Sequence, residues 1–186
     1  FGIGNTALFN SRTNNKYLEI SPAGGSSAAL LQNGGGHIDG RLYRYVDAGA
    51  NTVFFPVGGS MAVASYRPVL FETVGAGGTA GLVGAIHYDF NHPDFPNDDF
   101  VRNDNNIQKY WNVNTGTGFD LSARTYNLTT YYILPSDTIG RNPTISFLEH
   151  FRRTPGYDTV GSWFSTITTV KTDSTIKSIS NRYLGD

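Results

Sequence analysis

Turn-forming clusters recur so often along this chain that no element between them can be long. Gly, Asn, Asp, Ser, Thr and Pro gather at 14–15, 22–25, 33–36, 58–59, 75–78, 115–118 and 142–143. These residue types allow positive φ, fix φ, or hydrogen-bond their own backbone in turns. The runs between them are rich in Thr, Val, Ile, Tyr, Phe and Trp, which suit a pleated, half-buried surface. Such runs lie at 6–9, 16–20, 28–32, 37–46, 52–57, 66–74, 82–90, 109–114, 125–134, 144–151, 161–172 and 175–183. Strand-type runs at roughly 8- to 15-residue spacing, with no helical stripe, predict an all-β fold. The expected architecture is a single antiparallel β-sandwich, Ig-like or jelly-roll-like, of about a dozen short strands.

The charged residues agree. Asp outnumbers Glu by 12 to 3 and Arg outnumbers Lys by 10 to 4, so the good helix formers Glu and Lys are scarce. Residues 125–134 alternate, with Tyr126, Leu128, Thr130 and Tyr132 on one face. Gly40 interrupts the run at 37–46 and is read as a bulge. The run at 145–153 carries a weak helical period as well as alternation, and strand is preferred because prolines bracket it. No internal repeat is visible, which disfavours propellers and solenoids.

With 186 residues, the chain is read as one domain spanning 1–186, with a long polar loop at 91–106. The absence of cysteine excludes disulfides, thiolate zinc sites and a cysteine nucleophile. A formal net charge of −1 argues against a nucleic-acid partner, which requires a basic face. No apolar run approaches the roughly 18–20 residues of a spanning helix. Phe1 follows no signal-peptide pattern, so the chain is read as a processed or excised piece.

Few residues are arranged for chemistry. The most suggestive cluster begins at His87-Tyr-Asp89-Phe-Asn-His92-Pro-Asp94 and continues through Asp98, Asp99 and Asp104. Paired imidazoles and carboxylates are ligand types for zinc or other transition metals, but an oxygen-rich loop of this kind better suits calcium, with Asp89, Asp94, Asp98, Asp99 and Asp104 as candidate ligands. The spacing matches no established metal loop, and a solvated turn-rich loop is the competing reading. Period two along a strand puts His87 and Asp89 on one face. Gly75-x-Gly77-x-x-Ala80 follows a strand, but a dinucleotide site needs a helix next, and residues 82–90 read as strand. The three glutamates form no marked pair, and Ser60 lacks a nucleophile-elbow context. A non-enzymatic protein is expected. Among adjacent aromatic pairs such as Phe54-Phe55, Tyr110-Trp111 and Tyr131-Tyr132, one member should face the core and the other outward.

The segment His37-Ile-Asp39-Gly40-Arg41-Leu-Tyr-Arg44, then Phe55-Pro56-Val57-Gly58, then Tyr66-Arg67-Pro68 resembles a module of secreted, multi-domain surface proteins of Bacteroidota. Tyr110-Trp111 and the closing Ser178-Ile-Ser-Asn-Arg-Tyr183-Leu-Gly185 resemble later parts of that module. The resemblance implies an extracellular, cell-surface adhesive or structural module, often exported by the type IX route. No C-terminal sorting domain is evident. Asp39, Gly40, Pro56, Gly58 and Arg67 form the structural motif, in which Arg67 is expected to pair with Asp39 or Asp47. The resemblance also implies O-glycan sites at Thr138, Thr159 and Ser174, each following an Asp.

The expected function is that of a structural or adhesive module, self-associating or packed on neighbouring domains, as in a surface filament. The apolar stretch at 1–10, with Ile3, Leu8 and Phe9, is a candidate strand for completing a neighbour's sheet. The alternative is a carbohydrate-binding module with a calcium-stabilised loop. A hydrolase is the third reading.

Overall fold

The computed structural model describes residues 9–10, 17–20, 37–59, 66–90, 109–121, 124–133, 136–137, 151–153, 163–165, 167–172 and 174–181. Among them there are strands and turns and no helix. The strands are β1 (Phe9–Asn10), β2 (Tyr17–Ile20), β3 (Ile38–Asp39), β4 (Arg41–Val46), β5 (Asn51–Phe55), β6 (Val57–Gly58) and β7 (Val69–Val74). They continue as β8 (Gly81–Tyr88), β9 (Tyr110–Thr115), β10 (Thr125–Tyr131), β11 (Phe151–Arg153), β12 (Trp163–Ser165), β13 (Ile167–Lys171) and β14 (Thr175–Asn181).

Two larger sheets dominate. One has the order β13-β14-β10-β7-β5, and the other β2-β4-β8-β9. Short pieces form β1-β3-β6 and the pair β11-β12. Every pairing in the five-stranded sheet is antiparallel. The expectation of a purely antiparallel fold needs correcting, because β1–β3, β3–β6 and β2–β4 are parallel. The reason lies in the connections. A parallel pair needs a long crossover, and the stretch between β2 and β4 is long enough to return the chain to its starting end.

Two residues divert strands from one sheet to another. Gly40, at φ 143, separates β3 from β4, a backbone setting that a side chain at Cα disfavours. The bulge expected there is therefore a break at which the chain leaves the three-stranded sheet for the four-stranded one. Pro56 plays the matching part between β5, an edge strand, and β6. Proline cannot donate to a ladder, but its carbonyl accepts from the Ile38 amide at 2.8 Å. Tyr66 bridges back to Gly58, and the Arg67 amide donates to the Val57 carbonyl at 3.1 Å.

A single apolar cluster joins the inward faces of both large sheets. Leu42, Val46, Val83, Ala85 and Val113 come from the four-stranded sheet, and Val53, Phe55, Val69, Phe71 and Tyr126 from the five-stranded one. Phe71 stacks on Tyr126 at 5.1 Å and meets Phe119 edge-on at 6.1 Å. Alternation explains this set, since period two sends every second side chain inward. The adjacent aromatic pairs divide as expected: Phe55 and Tyr132 are fully buried, while Phe54 and Tyr131 are half-buried on the other side.

Among the described residues Arg44, Arg67 and Arg124 are buried. Arg44 lies on the inward face of β4 and donates to the Phe54 carbonyl at 2.6 Å. Burial pushes its guanidinium below the ordinary arginine value. Arg124 gathers the carbonyls of Asp47, Gly49 and Thr79 and lies over the Phe119 ring. Burial lowers its pKa, with Asp120 opposing.

The turn between β13 and β14 is held by one hydroxyl. Thr172 Oγ1 accepts from the amides of Ser174 at 3.2 Å and Thr175 at 2.9 Å. The Thr172 carbonyl accepts from the Tyr132 hydroxyl. Thr172→Ala should lower stability by about 1 kcal/mol, measured as a reduced urea midpoint at unchanged slope. Thr172→Ser should restore it.

Candidate functional site

The motif residues 55–59 and 66–68 come together with the ends of β8, β9 and β10 in a cluster of charge at the join between the two large sheets. Arg67 lies two residues before β7, which pairs with β10 through Val69 and Thr130. The segment entering β7 therefore meets the turn after β10, where the Asp137 amide donates to the Ile133 carbonyl at 2.9 Å. Arg67 grips the Asp137 carboxylate with two nitrogens: Nε to Oδ2, and Nη2 to Oδ1 at 2.6 Å. Both side chains are almost wholly buried, at 3% and 2% exposure. The expected partners Asp39 and Asp47 are thus replaced by Asp137. Asp39 belongs to β3 in another sheet, and Asp47 sits beyond the opposite end of β4.

Further groups extend the cluster. Asp137 also accepts from the Ile133 amide at 2.8 Å, and Lys109 Nζ lies 3.9 Å from its Oδ1. Lys109 donates to Asp89 Oδ1 at 2.9 Å. His87, fully buried on the inward face of β8, sits 3.9 Å from the same oxygen. Trp111 packs against His87 and donates from its indole to the Arg67 carbonyl at 2.9 Å. The Asp89 carboxylate rests directly on Gly59, where any Cβ would collide with it. The second glycine of Gly58-Gly59 therefore makes room for a charged side chain. Arg67 and Asp137 belong to the five-stranded side, whereas Lys109, Asp89, His87 and Trp111 belong to the four-stranded one. Across the seam the links are the Trp111 indole on the Arg67 carbonyl and the Lys109 ammonium 3.9 Å from Asp137.

The sequence-derived candidates divide accordingly. Asp89 is an ion-pair partner of Lys109, while Asp94, Asp98, Asp99 and Asp104 lie outside the described residues. Among the described residues no three His, Asp or Glu side chains form a metal-sized group. His87 and Asp89 do share a side of β8, as alternation required. Phe9 belongs to β1, paired in parallel with Ile38 of its own chain. Ile3 and Leu8 lie outside the described residues, as do Thr138 and Thr159. Ser174 is exposed in the β13–β14 turn. Asp39, Gly40, Pro56, Gly58 and Arg67 are all where strands change sheets or where the charge cluster forms.

Two outward surfaces complete the description. Beside the five-stranded sheet, Phe54, Tyr66, Pro68, Tyr131, Tyr132, Ile133 and Ser174 line an apolar groove of about 330 Å³. On the four-stranded sheet, Arg41 reaches from β4 to β9, donating to Asn114 Oδ1 and, at 2.7 Å, to Asn112 Oδ1. Asn114 donates in turn to the Tyr43 hydroxyl at 3.0 Å. The sequence reading missed this strip, although Asn112 and Asn114 alternating with Trp111 and Val113 is the signature of a strand with a polar outer face. In comparisons with known proteins, no family model, no curated protein and no solved structure matches this chain.

Proposed function

We propose that the chain is a non-enzymatic, extracellular structural or adhesive module with a β-sandwich architecture. The observation that carries this reading is the charge cluster. His87, Asp89 and Arg67, which the sequence singles out, meet Lys109 and Asp137 at the seam between two sheets. Ionisable groups so placed act as fasteners. The shared core of the two large sheets supports the sandwich, and the resemblance to Bacteroidota surface modules supports the setting outside the cell.

Self-association is the second part of the proposal. β1 is a two-residue strand at the edge of β3, built from the apolar end of the chain. The same edge can accept the equivalent segment of a neighbouring copy, because exchange of identical elements requires no new contacts. Negative-stain microscopy of the purified chain should show extended assemblies, and these should disappear when residues 1–10 are deleted. Unchanged assembly after the deletion would rule out the N-terminal strand as the connector.

A further inference from the structure

We propose that the outer face of the four-stranded sheet binds an uncharged glycan chain. This goes beyond the structural reading above and stands or falls without it. Alternation places on this face Tyr17 and Glu19 of β2, Arg41, Tyr43 and Tyr45 of β4, and the even-numbered residues of β8 and β9. Of these, Gly84 and Ile86 are buried and the others at least partly exposed.

The centre of the face is polar and already ordered. Arg41 must cross β8 to reach β9, two inter-strand spacings or roughly 10 Å away. Gly84 makes the crossing feasible, since its register partners are Tyr43 on β4 and Asn114 on β9. A Cβ there would lie 2.6 Å from the Tyr43 ring and 2.7 Å from the Asn114 amide oxygen. The glycine thus leaves a trough in which a guanidinium, two amides and a phenol are held against one another. Such planar groups, fixed in advance, offer donors and acceptors side by side, the pattern that vicinal hydroxyls match. Pre-ordering also reduces the entropy lost on binding.

Aromatic rings flank this strip. Tyr17, 52% exposed, stands edge-on to Tyr43 at 5.0 Å. Toward the other end, Tyr88 and Tyr110 stack at 4.4 Å and 11°, beside Phe90, which is also 52% exposed. Tyr88 is four residues from Gly84, roughly 13 Å along the strand. Two aromatic stations separated by a hydrogen-bonding strip fit an extended chain of rings with apolar faces and hydroxylated edges.

Charge selects among occupants. The single arginine of the strip is balanced by Glu19, exposed on the neighbouring strand beside Tyr43. A nucleic acid needs an excess of cations to displace its counterions. A protein interface places its apolar groups at the centre and polar groups at the rim. Here the accessible groups at the centre are polar, since Ile86, in register with Asn112, is buried and Arg41 is bonded to Asn112. A neutral saccharide is the ligand whose charge and amphipathic pattern this face complements.

Affinity gel electrophoresis of the full chain tests the proposal, with soluble β-1,3-glucan, β-1,4-glucan, xylan and α-mannan in the gel. At least one should retard the protein, equally at low and high salt. Tyr17→Ala and Asn112→Ala should each weaken the dissociation constant tenfold or so, with unchanged thermal melting for Tyr17→Ala. Phe54→Ala, on the other sheet, should leave retardation intact. No retardation by any of the four polysaccharides overturns the proposal. So does retardation that disappears with salt, or that survives in the Tyr17→Ala/Asn112→Ala double variant.

Discussion

Substituting Arg67 by Ala should cost this protein roughly 3–5 kcal/mol of folding stability, seen as a large drop in the urea midpoint. The loss arises from what remains behind. Asp137, at 2% exposure, would keep a buried carboxylate whose two-toothed partner is gone. Lys109 cannot replace it, because its ammonium lies 3.9 Å from Asp137 and is already donating to Asp89. Arg67→Lys should fall between wild type and Ala, since a point charge cannot reproduce the fork. The double variant Arg67→Met/Asp137→Leu should recover part of the loss by removing both charges. Recovery stays incomplete because the Ile133 amide loses its acceptor, a penalty of about 1–3 kcal/mol. A single-variant loss below about 1 kcal/mol would give the pair the energetics of a solvated surface bridge, and the reading of the cluster as a fastener would fail.

Gly81→Ala should be the next most damaging change, at about 3 kcal/mol, the upper end of what overpacking costs. A Cβ at Gly81 would run into the backbone of Gly118 and Phe119. That backbone has little room to retreat. The Gly116 amide donates to the Leu82 carbonyl at 2.6 Å, the Leu82 amide donates to the Thr117 carbonyl at 3.0 Å, and Thr79 bridges Asp120. Gly84→Ala makes the contrast, because its obstacles are the Tyr43 ring and the Asn114 amide, side chains that can shift by a few tenths of an ångström where backbone cannot. Urea denaturation of the two variants should show Gly81→Ala clearly the worse. Equal losses would mean that the 116–119 turn yields as easily as a side chain.

Much of the strand pattern was legible in the sequence because it depends on near neighbours. Alternation at 125–134, the turn residues at 75–78 and the break at Gly40 are local signals. They locate β10, the β7–β8 connection and the end of β3 to within a few residues. Pro56 at the exit of an edge strand follows from its missing amide. Pairing, by contrast, is a property of the whole chain. Arg67 and Asp137 are 70 positions apart, and only the β7–β10 ladder brings them together. Nothing near Arg67 favours Asp137 over Asp39 or Asp47. The parallel pairs were missed for the same reason: a strand's composition does not state the direction of its neighbour. Arg44 shows another limit. Alternation with Leu42 and Val46 points it inward, yet its charge argues for solvent, and the Phe54 carbonyl waiting inside decides the matter.

The path of the chain has a consequence for the order of folding. It visits the four-stranded sheet in β4, leaves for β5 and β7, returns for β8 and β9, and leaves again for β10, β13 and β14. Neither sheet can be completed by a segment that excludes the other. Most of the barrier must therefore be crossed before distant pairings repay their loop entropy, which places folding in the slow, millisecond-to-second regime of non-local β topologies. A chain still emerging would carry an unpaired β10 edge until β14 arrived. Cooperativity is the return on that delay, because β10 has a partner on each side only when β14 is in place.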